Sequence, residues 1–309
     1  MDRFLEKLRQ TAGENKVKTN EAMAKHTTFR VGGPADYFVT PAGPKELAEI
    51  LKLCRDSNMP FFILGNGSNL LVSDKGFRGV VIEIGKPFDY CEVKGARLTA
   101  GAGCLLSAIA KKALDHSLTG LECAAGIPGS LGGAVVMNAG AYGFEMKDIV
   151  LEVTVLKPDG QVAVLPLTSM EFGYRTSIVA KQGYIVLEAV LQLEQGDREE
   201  IKKKMEDLAA RRREKQPLEY PSGGSTFKRP EGYFAGKLIE DAGFRGYCVG
   251  GAQVSEKHCG FVINKDHATA EDICRLCGEI QEKIMKDTGV ALEMEIKRLG
   301  EFEGFGGKK

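Results

Sequence analysis

Two glycine-rich stretches carry the most suggestive chemistry in this chain: LGNGSNLLVSD at 64–74 and AGIPGSLGGAVVMNAGAYG at 125–143. Glycine lets a backbone take positive φ and come close to a ligand, so that successive N–H groups converge on an anion without any basic side chain. A diphosphate is the natural guest of such a nest. One loop of this kind also reads as a pair of tight surface turns. Two of them favour the binding reading, and the irregular segment 126–143 is longer than a compact domain usually tolerates without a function. The dinucleotide fingerprint G-x-G-x-x-G is absent, because Gly65-x-Gly67 and Gly101-x-Gly103 each reach Leu where the third glycine belongs. Gly236-Lys237 lacks the spacing and the Ser/Thr of a P-loop.

The rest of the composition narrows the function class. The chain has 309 residues, 42 basic and 42 acidic, so it presents no net positive charge of the kind that neutralises a phosphate backbone. Nucleic acid is therefore not expected as a partner. Hydrophobic residues make up 43% and charged residues 27%, which is globular. The first residues, MDRFLEKLRQ, lack the apolar core of a signal peptide, and no window suits a membrane span, so a cytoplasmic protein is expected. Eight cysteines lie scattered in apolar surroundings, which suits reduced thiols rather than a disulfide framework or a metal site. Cys274-x-x-Cys277 lies on a helical stripe with Ile273, Ile280 and Ile284, which makes Cys277 a core residue with Cys274 flanking it. His26 and His116 carry no signal.

The elements that must position the two loops can be read from periodicity. A strand is expected over 35–40. A helix opens at Pro44 and buries Leu47, Ile50, Leu51 and Cys54, and strands follow at 61–64 and 80–84. Further on come a strand over 90–100, a helix over 104–116, the aperiodic 126–143, a hairpin turning at Pro158-Asp159-Gly160, and a strand over 184–193. Asp197 caps a charged helix that must end before Pro217, and Leu238–Ala242 is helical. A strand over 261–264, a helix over 269–288 closed by Gly289, and a strand over 291–299 complete the chain. Strands and helices interleave without a strict βαβα rhythm, so the class is α+β.

Seven ordered blocks then carry a resemblance. GNGSNLL, GIPGSLGGAVVMNAGAYG, FGYRTS (172–177), QPLEYPSGGSTFKRP (216–230), AGKLIEDAG (235–243), GGAQVSEKHCGFVIN (250–264) and LEMEI (292–296) together make the chain resemble the UDP-N-acetylenolpyruvoylglucosamine reductase (MurB) family. It is similar to the shorter, type II subclass, with Arg229 where the longer subclass carries Asn. The resemblance implies an FAD-binding module of the vanillyl-alcohol-oxidase (PCMH) type in two parts, 1–88 and 89–196, and a C-terminal α+β substrate domain, 197–309. It also implies the activity, in which NADPH reduces FAD and the enolpyruvyl ether of UDP-N-acetylglucosamine is reduced to a lactyl ether for peptidoglycan. The FAD contacts carried over are Gly65, Asn66, Gly67, Ser68, Asn69, Gly126, Pro128, Gly129, Ser130, Gly133, Asn138, Ala139 and Gly140.

The same resemblance implies Arg175 and Glu295 at the substrate carboxylate and Ser225 as proton donor. A bare Glu295 anion would repel the substrate, so it is expected to be protonated or paired to Arg175 during turnover. Tyr174, Lys215, Lys228, Arg229, Lys237 and His258 are the expected UDP-sugar contacts, and no metal is expected. Taken alone, each residue has an ordinary reading. Alternation in the last strand puts Glu293, Glu295 and Lys297 on one polar face, Arg175 suits a surface ion pair, and Ser225 suits a turn. Glu293 is the nearest false candidate for the role of Glu295. Two rivals remain, a flavin oxidase of a small alcohol and a nucleotide-sensing module without turnover. A monomer is the default expectation.

Overall fold

In the computed structural model, residues 3–302 are described. The chain forms two compact units. The first comprises 1–18, 37–66 and 79–211, and the second 19–36, 67–78 and 212–309. Segments 19–36 and 67–78 group with the C-terminal residues. Long-range strand pairing accounts for part of this. Leu70–Val72 runs parallel to Lys297–Leu299, and Ser73 N–H donates to the Leu299 carbonyl at 2.9 Å.

The first unit holds the larger core. In it Phe61–Leu64 pairs in parallel with Val80–Glu83. A five-stranded antiparallel sheet has the order Val162–Pro166, Val150–Leu156, Ile185–Gln192, Arg97–Gly101, Cys91–Lys94. Helix Pro44–Asp56 buries Leu47, Ile50, Leu51 and Cys54, and helix Leu106–Asp115 buries Leu106, Ile109, Ala110 and Ala113. Each stripe follows the 3.6-residue period that one buried face requires. Asp197 Oδ1 accepts the N–H groups of Glu199 and Glu200 and so starts helix Arg198–Lys215 as expected.

The second unit packs helix Ala270–Thr288 on a three-stranded sheet ordered Cys248–Val249, Ala252–Val254, Val262–Asn264. Thr269 and Asp272 make a capping box at the start of that helix, and Gly289, at φ +71°, closes it. Cys274 and Cys277 are both buried among its core residues, and burial pushes the Cys274 thiol up to about 11. The two thiols are core packing, and among the described residues no disulfide joins any of the eight cysteines.

Three expectations about elements are corrected. The stretch 90–100 is two strands, turning at Gly95 with φ +62°. The aperiodic 126–143 contains a helix, Leu131–Met137, which periodicity misses because Gly132 and Gly133 stand in it. A Cβ at Gly132 would lie 3.0 Å from Ala102 Cβ, so tertiary packing demands a residue that helix propensity disfavours. The last strand is ordered into a ladder only at Lys297–Leu299, because the segment changes partners. Residues 293–295 pair with 226–228, and Lys297 N–H then turns to the Asn69 carbonyl.

Candidate active site

In the first unit, the two glycine loops meet directly. A Cβ at Gly65 would stand 2.5 Å from Ser130 Oγ, so only glycine permits that approach. The Asn66 carboxamide donates to the Pro128 carbonyl at 3.2 Å and ties the loops together. Gly129 is fixed from the other side, its carbonyl accepting Leu106 N–H at 3.0 Å, while Leu131 N–H donates to Cys104 O. Among the described residues, the main-chain N–H groups of Asn66, Ser130 and Gly133 meet no protein acceptor. Gly126, Pro128 and Gly133 are exposed along the same loop. This is a cradle of donors that glycine keeps open and no side chain fills, which fits the diphosphate of a dinucleotide such as FAD.

Gly67 shapes the loop in the second unit. Its φ is +60°, its carbonyl accepts Thr28 N–H at 3.2 Å, and a Cβ there would strike the His26 carbonyl. Asn69 is spent within the protein, its carboxamide donating to the Glu295 carbonyl at 3.0 Å. The carboxamide of the fully buried Asn138 is spent too. It donates to Glu145 and to the Gly173 carbonyl, both at 3.1 Å, and accepts Lys147 N–H at 3.0 Å. Asn138 is thus placed to hold the shape of the loop, with Ala139 and Gly140 following it into a small hairpin.

Arg175 sits at the tip of a tight turn in the first unit. Gly173 and Thr176 exchange backbone hydrogen bonds, which leaves Tyr174 and Arg175 as the two turn residues, and Arg175 has φ +56°. That position ordinarily belongs to Gly or Asn. Its guanidinium lies 5.0 Å from the Tyr174 ring and donates to the Gly140 carbonyl at 3.4 Å. The buried Ser177 anchors the turn through a 2.8 Å bond to the Val136 carbonyl.

The segment that follows Ser225 and the segment that carries Glu295 pair through their backbones in the second unit. Glu295 N–H donates to the Thr226 carbonyl at 2.8 Å, Lys228 N–H to the Glu293 carbonyl at 2.8 Å, and Phe227 bridges Met294. Ser225 is exposed beside Gly224, whose φ is +78°, while Thr226 is buried and accepts Val262 N–H through its hydroxyl at 2.9 Å. Gly223 leaves room for Phe29 and Ile296, which a Cβ would overlap. The alternation in 292–296 holds in part: Leu292 and Ile296 are buried, Met294 and Glu295 are both half-buried, and Glu293 is exposed and paired with Lys228. Burial therefore separates Glu295 from its false candidate.

The expected UDP-sugar contacts differ in character. Arg229 lies 4.0 Å from the exposed Phe234 ring and donates to the Tyr233 carbonyl. Lys215 is exposed at the end of its helix, and Lys237 pairs with Asp241. His258 Nδ1 accepts Gly260 N–H at 3.0 Å, and burial lowers its pKa below 6.5, so at neutral pH it is an uncharged acceptor rather than a cation. Two residues escaped the sequence reading. The Asp74 carboxylate accepts the N–H groups of Ala270 and Glu271 at the start of helix Ala270–Thr288. Glu145 binds Asn138 and Lys147. No local pattern reveals Asp74, whose partners lie almost 200 residues away, whereas Glu145 stands just past the second loop.

The comparisons agree with this geometry. Residues 216–299 match the family model described as the C-terminal domain of UDP-N-acetylenolpyruvoylglucosamine reductase, and residues 35–165 match an FAD binding domain. A UDP-N-acetylenolpyruvoylglucosamine reductase of Agathobacter rectalis is 54% identical over 295 residues, covering 92% of this chain and 94% of its own. The reductase of that name from Clostridioides difficile is 53% identical over 285 residues, again covering 92% and 94%. The crystal structure of MurB from Thermus caldophilus superposes with a TM-score of 0.81 at 36% identity, covering 92% of this chain and 99% of that one. A glucose oxidase variant of Phl p 4, 14% identical, has a TM-score of 0.50 over 64% of this chain and 45% of its own, a likeness of fold alone. On these matches, the chain belongs to the UDP-N-acetylenolpyruvoylglucosamine reductase (MurB) family.

Proposed function

We propose that this protein reduces the enolpyruvyl ether of UDP-N-acetylglucosamine to the lactyl ether of UDP-N-acetylmuramate, an FAD-dependent step in peptidoglycan precursor synthesis, with NADPH as reductant. When bound, FAD supplies a carrier that takes a hydride from the nicotinamide and delivers it to the methylene carbon of the substrate. The open N–H groups of Asn66, Ser130 and Gly133 hold its diphosphate. The observation that supports the reading is the backbone pairing of 226–228 with 293–295, which runs the segment after Ser225 alongside the segment of Glu295, itself tied to Asn69 of the first glycine loop.

The chemistry needs these groups. A hydride added to a double bond conjugated with a carboxylate places further negative charge on a group that is already anionic. A preorganised donor aimed at developing charge contributes about 3–4 kcal/mol. Arg175 supplies such a donor at the carboxylate. Glu295 serves in a charge-compensated form, since an uncompensated anion there would oppose the reaction. Ser225 gives its proton to the carbon bearing the carboxylate, where the strongly basic electron pair makes a weak acid sufficient and position decisive. The exposed cations Lys215, Arg229 and Lys237, with the half-buried Lys228, face the demands of a UDP diphosphate.

We further propose a monomeric cytoplasmic enzyme. Among the described residues, no helix is long and apolar enough to cross a membrane. An anaerobic two-step colour assay tests the function. The purified protein is expected to be yellow, to bleach with NADPH, and to regain colour only with the enolpyruvyl sugar. Bleaching by a small alcohol marks an oxidase, and a colourless protein marks a nucleotide sensor.

A further inference from the structure

Arg175 is held in a left-handed conformation that residues other than glycine rarely adopt, so the surrounding structure must impose it. Two links lead from that turn to one carboxylate. The first is Asn138, fully buried, whose carboxamide nitrogen donates both to the Gly173 carbonyl and to Glu145 Oε2. The second is Gly140, whose carbonyl accepts from the Arg175 guanidinium and whose α-carbon is covered by the Glu145 side chain: a Cβ there would lie 2.9 Å from Glu145 Cγ. Gly140 and Glu145 face each other across a two-residue hairpin, with Tyr142 at φ +56° and Gly143 at φ +83°. Glu145 is braced in turn by the Lys147 ammonium and by a backbone bond from its own N–H to Asp148. The Lys147 hydrogen bond, above all, holds the Glu145 carboxyl below its ordinary range, with a smaller electrostatic pull from Arg175.

Resting on the functional reading above, we propose that Glu145 is a positioning residue. Through Asn138 and across Gly140 it orients the Arg175 guanidinium toward the substrate carboxylate without touching substrate itself. Removing its charge leaves Arg175 cationic but less constrained. Substrate binding should therefore be kept or strengthened, while the rate of the step that needs an aligned donor falls.

The holoenzyme carrying Glu145→Gln, which preserves shape and hydrogen-bonding capacity, is compared with wild type under anaerobic stopped flow. The NADPH half-reaction is expected within twofold of wild type. Flavin reoxidation by the enolpyruvyl sugar should slow about tenfold, while the titrated Kd for that sugar stays the same or falls. Glu145→Asp, which restores the charge, should recover reoxidation to within about threefold of wild type. An unchanged reoxidation rate in Glu145→Gln overturns the proposal. So does loss of flavin or equal slowing of both half-reactions, either of which marks a merely structural residue. A wild-type protein whose flavin the sugar cannot reoxidise overturns the functional reading itself, and this inference with it.

Discussion

Replacing Gly67 with alanine separates the grip on the cofactor from ordinary backbone strain. The new Cβ would sit 2.0 Å from the His26 carbonyl oxygen, against 3.4–4 Å for ordinary contact, so one strand of the loop must move by more than an ångström. That shift endangers the Gly67 carbonyl bond to Thr28 N–H, worth about 1 kcal/mol net, and misaligns the adjacent Asn66 N–H donor. Alanine at φ +60° adds roughly 1–2 kcal/mol of conformational cost to folding. We expect FAD affinity to fall by about 2–3 kcal/mol, roughly 30- to 150-fold. Gly160→Ala is the matched control. Its φ of +86° carries the same conformational cost, but nothing lies within 4 Å of its Cβ, at the tip of a hairpin. FAD is titrated into deflavinated protein by fluorescence quenching, alongside Tm. Both variants should melt earlier, and only Gly67→Ala should lose affinity. Equal FAD affinity in the two would refute the claim that close backbone approach builds the cradle.

Three further outcomes follow from the geometry. Ser225→Ala should leave NADPH-dependent flavin bleaching intact while slowing reoxidation by the sugar roughly 10²- to 10⁴-fold, as single-turnover spectroscopy reads directly. Thr269→Ala, which removes one half of the capping box on helix Ala270–Thr288, should cost about 1 kcal/mol in urea denaturation without changing either half-reaction. His258 has a folded pKa depressed by burial, so its contribution to stability is present above its unfolded value of 6.5 and is lost as pH falls through the folded one. Wild type should therefore lose Tm relative to His258→Gln as pH is lowered from 6.5, and an unchanged difference would show that the imidazole is not buried in its neutral form.

The amino-acid order alone determined what is local or periodic. The helices expected from Pro44 and over 104–116, the cap at Asp197 and the stop at Gly289 all follow from spacing and from single-residue chemistry. The two glycine loops announced themselves by composition, and the seven blocks declared the family. Tertiary structure decided the rest, because the deciding contacts join residues far apart in the chain. Helix Leu131–Met137 forms against its own glycines because Ala102 leaves no room for a larger residue at 132. Glu293 and Glu295 are indistinguishable by alternation. They separate only because one pairs with Lys228 in solvent while the other is drawn half under cover, its carbonyl bound to an asparagine from the first glycine loop. Arg175, an unremarkable cation in a motif, gains its direction from a strained turn whose supports, Asn138 and Glu145, lie some thirty residues earlier. Periodicity reports what a segment must bury. It carries no record of which distant group will meet it.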